Sequence, residues 1–114
     1  LTGELDLIPA AVSVISTGPA TMQKVLTVTT QLGPIFTKKQ FIRAIATAAL
    51  TSKGINLHSI PANPAWAITS IDADWDDESG KVELSVELIV TITGANNGAW
   101  IHGLAFQVTI LGEL

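Results

Sequence analysis

The chain has no cysteine, which excludes a disulfide framework, a zinc ribbon and a thiol nucleophile. Charge is scarce as well. Asp, Glu, Lys and Arg make up 14% of the 114 residues, against about 25% in ordinary domains. Long apolar runs are also missing. Arg43 interrupts the run at 41–50, and Glu83 and Glu87 punctuate 82–92. Neither stretch approaches the ~18 uninterrupted apolar residues of a membrane span, so no membrane-spanning helix is expected. The opening residues, Leu1-Thr2-Gly3-Glu4-Leu5-Asp6, are acidic, unlike the basic start of a signal peptide. A net charge of −4 with only six Lys and Arg sets nucleic acid aside as the main partner.

What the chain has is apolar surface. Hydrophobic residues are 47% of it, and there are nine glycines besides. So few charges leave little with which to cover a surface, and soluble monomers rarely expose large apolar patches. The excess therefore points to a subunit interface, and a homo-oligomer is expected. Charge is uneven along the sequence: residues 1–60 carry a net +3 and residues 61–114 a net −7. The length suits one domain over residues 1–114, and no repeat or linker divides it.

The clearest pattern is the alternation of Val82, Leu84, Val86, Leu88, Val90 and Ile92 with Lys81, Glu83, Ser85, Glu87, Thr91 and Thr93. Period two over this length is a strand with one buried face. Strands are also expected over 66–75 and 99–111, making a three-stranded C-terminal meander. Asp77-Glu78-Ser79-Gly80 supplies its first turn and Asn97-Gly98 its second. Upstream, strands are expected over 4–8 (stopped by Pro9), 10–16, 23–32 and 55–60, with a turn at Ser16-Thr17-Gly18-Pro19. Residues 37–53 read as an amphipathic helix. Thr37 and Gln40 have capping-box spacing, Phe41, Ile42, Ile45, Ala48 and Ala49 share a helical face, and Gly54 follows the end. The expected class is α+β: an antiparallel sheet of four to six strands with one helix packed on a face. A β-sandwich with an inserted helix is the second choice.

Three groups of residues are candidates for chemistry. Asp72, Asp74 and Asp76 fall at positions 1, 3 and 5 of a calcium-type loop, with Glu83 at position 12. Position 6, which should be glycine, is Asp77, and the flanks read as strands. Calcium is thus the one cofactor these residues suggest; otherwise none is expected. Trp66 and Trp100 offer faces for stacking on a sugar. Thr37, Lys38 and Lys39, at the start of the expected helix, form a candidate anion site. His58 and His102 have no metal-ligand spacing, and no nucleophile elbow accompanies them. The leading expectation is a non-enzymatic, self-assembling structural or interaction subunit. A ligand-binding module for a carbohydrate or divalent cation is the alternative, and a small enzyme of unknown class the third.

Overall fold

The structure, a computed structural model, describes residues 1–7, the backbone of 12–15, and 21–113. The expected strand stop at Pro9 and the turn at 16–19 lie outside these residues. Seven strands follow one another: β1 (Thr2–Asp6), β2 (Val12–Ile15), β3 (Met22–Leu32), β4 (Phe41–Asn56), β5 (Ala65–Trp75), β6 (Val82–Ile92) and β7 (Gly98–Gly112). There is no helix among the described residues, so the α+β expectation is corrected to all-β.

The strands make two antiparallel sheets. In one, β7 pairs with β4 along one side, and with β1 and β2 along the other. In the second, the order is β3-β6-β5. Because β1 and β2 lie end to end on β7, each sheet is three strands wide. The sheets face each other across a core from β6 and β7. Val82, Leu84, Val86, Leu88, Val90 and Ile92 of β6 are fully buried against Ile101, Leu104 and Val108 of β7. Each such side chain contributes about 1.5–3 kcal/mol of transfer free energy. The result is a slender sandwich, 57 × 20 × 19 Å.

Residues 37–53 are the largest departure from expectation. The capping contacts are real: Gln40 Oε1 accepts from the Thr37 amide at 2.9 Å, and the Gln40 and Phe41 amides donate to the Thr37 carbonyl. They close a single turn, after which the chain extends as β4. Ala44, Ala46, Ala48 and Leu50 pack toward the core, while Ile45, Thr47, Ala49 and Thr51 face water. That is period two, and alanine at the inward positions disguises it. β4 pairs with β7 over almost its whole length. The ladder of backbone hydrogen bonds and the inward Leu50 decide against the helix.

The expected meander holds for its first half only. β5 and β6 form a hairpin through 76–80, where Gly80 adopts φ +73°. The next connection crosses to the other sheet, so β7 pairs with β4, β1 and β2 instead of β6. Asn97-Gly98 is accordingly not a hairpin turn. Residues 55–60 are not a separate strand either: Ile55 and Asn56 end β4, and a loop follows.

Two bulges re-aim aromatic residues. Register slips between Ile68 and Ser70 in β5, so Trp66 and Trp75, nine apart, both face inward opposite Val90 and Val82. In β7, register slips at His102 opposite β4. Leu104 and Phe106 join the core, whereas Trp100 and His102 stay outside it with ring centroids 5.5 Å apart. A regular strand would have put all four on one face.

Candidate functional site

The β7 register orders the molecule into two ends. One holds the loop 33–40, the β5–β6 turn and the end of β7; the other holds the loops 57–64 and 93–98.

The first end is charged. Asp76 organises its turn: the Ser79 hydroxyl donates to Oδ2 at 2.8 Å, the Ser79 amide at 3.2 Å, and Gln31 Nε2 at 3.2 Å. The Ser79 hydroxyl holds the Asp76 carboxyl below its ordinary pKa against the opposing effect of burial, with lesser help from the Ser79 and Glu78 amides. Trp75 plugs the sandwich here, its Nε1 donating to the carbonyls of Phe36 at 3.0 Å and Gly80 at 3.1 Å. Asp72 and Asp74 are exposed on the outer face of β5, Asp74 directly opposite Glu83. Like charges facing across strands repel. Asp76 belongs to the turn, and among the described residues no group of three or more His, Asp or Glu is arranged to hold a metal ion. Thr37, Lys38 and Lys39 are all exposed on the one-turn loop. With no helix behind them, the dipole argument for an anion site lapses.

The second end carries no Asp, Glu, Lys or Arg in either loop, and His58 is the one ionisable side chain there. Its organiser is Asn97, fully buried. Asn97 Oδ1 accepts from the His58 amide at 2.6 Å and the Ser59 amide at 2.9 Å; Nδ2 donates to the Ser59 carbonyl at 2.9 Å and the Thr93 carbonyl at 2.8 Å. The Ser59 hydroxyl adds a bond to the Ala95 carbonyl, and the Thr93 amide one to the Ala62 carbonyl. Gly94 sits at φ +100°, and a Cβ there would run into the Asn97 amide and the Pro61 carbonyl. The asparagine that reads in sequence as half of a hairpin signal is a clamp between two loops. The held loop presents Leu57 (54% exposed) and Ile60 (87% exposed) to water.

The tryptophans are engaged within the fold. Trp100 lies over Gly54, where a Cβ would come within 2.5 Å of the indole. Trp66 packs at the core margin with Lys53 Nζ 4.9 Å from its ring centroid, and its buried Nε1 lacks a hydrogen-bond partner among the described residues. No family model, curated protein or solved structure gives a significant match to this chain. The geometry therefore carries the functional reading alone.

An open groove of about 600 Å³ lies on the outer face of the β1-β7-β4 sheet. Thr2, Glu4, Thr47, Ala49, Ala105 and Gln107 line it. It contains neither histidine nor tryptophan. No helix among the described residues is long and apolar enough to cross a membrane.

Proposed function

We propose that this chain is a non-enzymatic structural or interaction subunit that assembles with copies of itself. The observation that carries the reading is the placement of its exposed aliphatic side chains. Ile60 (87%) and Leu57 (54%) stand at one end of the rod, Ile35 (71%), Ile42 (51%) and Leu111 (48%) at or near the other. Val25 and Ile45 are exposed on the sides of the rod as well, and it is the grouping of aliphatics at each extremity that favours a covered surface. Burial against a partner covers it.

The test is molar mass by multi-angle light scattering over a hundredfold range of protein concentration. Mass should rise with concentration, and added salt should lower it where the contact is ionic. A monomeric mass throughout contradicts the reading.

A further inference from the structure

Ten of the sixteen charged side chains lie at the charged end: Lys38, Lys39, Arg43 and Lys81 with Asp74, Asp76, Asp77, Glu78, Glu83 and Glu113. Four basic and six acidic groups leave that end net negative. Moving back from the other end, the first charges met are Lys24 on β3 and Lys53 on β4, both positive. Asp6 comes next on β1, opposite Gly103 and so about 17 Å from Gly98, and then Glu87 on β6, six residues before Thr93, or about 20 Å along a strand. The rod is therefore polar along its length. The separation is not the one read along the sequence, because Lys38, Lys39 and Arg43 fold beside the acidic hairpin.

Two of the rod's edge strands, β4 and β5, are poorly suited to strand addition, while β3, the other edge of its sheet, pairs without a bulge and carries one charge, Lys24. On β4, bulges at Ile42 and Thr51 distort the strand near Arg43 and Lys53, and on β5 a bulge at Thr69 precedes Asp72 and Asp74. Bulges and edge charges are the devices by which edge strands refuse new partners. Among the described residues the uncharged end has no such charges, and it is built around Asn97.

We propose that the uncharged end of one copy docks on the charged end of a second copy, head to tail. Leu57 and Ile60 of the first seat against Ile35, Ile42 and Leu111 of the second, and Lys24 and Lys53 face its acidic hairpin. The occupant is a second copy because the two ends complement each other in charge, both expose aliphatic side chains, and both are ends of the same 20 × 19 Å cross-section. The contact uses different surfaces on its two sides, so it does not close on itself and gives open chains. A face of that cross-section buries roughly 400 Å² per copy, below the ~800 Å² per partner of a stable complex. Chains therefore form at high concentration and dissociate on dilution.

This inference rests on the self-assembly reading, and the experiment separates the two. Small-angle scattering of the full chain across a concentration series should show the maximum dimension growing in steps of about 57 Å at constant cross-section. Ile60→Asp and Leu57→Asp, at positions already exposed, should each weaken association about thirtyfold, the loss expected of an interface anchor. Ile45→Asp, about as exposed as Leu57 but on the side of β4, should leave it unchanged, and circular dichroism checks that all three variants fold. A wild type that stays monomeric refutes self-assembly itself. Assembly that thickens the cross-section, or survives Ile60→Asp, refutes the head-to-tail contact and leaves self-assembly standing. Ile60-dependent capture by phosphatidylcholine–phosphatidylserine vesicles, without self-association, overturns both in favour of a lipid surface.

Discussion

The two ends of the rod solve one problem with different chemistry. Each needs a side chain that gathers the backbone groups of a turn. At the charged end this is Asp76, a carboxylate whose bonds to Ser79 and Gln31 are reached by water. At the other end it is Asn97, neutral and fully enclosed, which both accepts and donates. A carboxylate in that position would lack the donors for the Ser59 and Thr93 carbonyls and would lose its hydration. The contrast shows how the tip stays free of charge: a buried amide does there what a solvated carboxylate does at the other end.

The largest effect expected from breaking this contrast is that of Asn97→Ala. It strands two amides and two carbonyls in a part-buried site, at a cost of about 3–5 kcal/mol. Urea denaturation measures it. Next comes a matched pair of glycines, both at positive φ. Gly94→Ala places a Cβ against the Pro61 carbonyl and the Asn97 amide, and should cost about 2–3 kcal/mol. Gly80→Ala meets the Cγ2 of Ile35, an exposed side chain that can turn away, and should cost only about 1 kcal/mol. Equal losses at the two glycines would erase the difference between the ends.

The smallest effect is at Asp76. Its folded pKa is depressed, so its stabilisation is present at neutral pH and is lost as pH falls through the folded value, below the ordinary carboxylate range of ~4. Asp76→Asn should flatten the acid limb of the stability–pH profile slightly and leave stability at Asn97 untouched. A steeper acid limb in the variant would contradict that sign.

Much of this architecture is legible in the sequence, though unevenly. β6 is, because its alternating side chains are large and the core takes all of one face. β3, β5 and the 76–80 turn follow from the same signals. β4 is not, because Ala44, Ala46 and Ala48 sit at its inward positions. Alanine is the strongest helix former and is only tolerated in a close-packed strand, so Ile42 and Ile45 dominate the periodicity although both end in water. The Thr37–Gln40 cap strengthens the misreading, since its bonds form without a helix behind them. Parity arguments fail at Thr69 and His102, where one inserted residue reverses which face the next residues take. Among the site candidates, Asp72, Asp74, Asp76 and Glu83 gather near one hairpin, while Trp66 and Trp100 are occupied by Lys53 and by Gly54 with His102. Asn97 is hidden because its partners at His58 and Ser59 lie 39 and 38 residues away, and no local spacing signals them.

Amide hydrogen exchange by NMR on dilute protein tests most directly whether the uncharged tip is a built docking surface. The His58, Ser59 and Thr93 amides, tied to Asn97 and Ala62, should exchange as slowly as those of the neighbouring strands. Exchange at the rate of an unstructured loop would contradict the account.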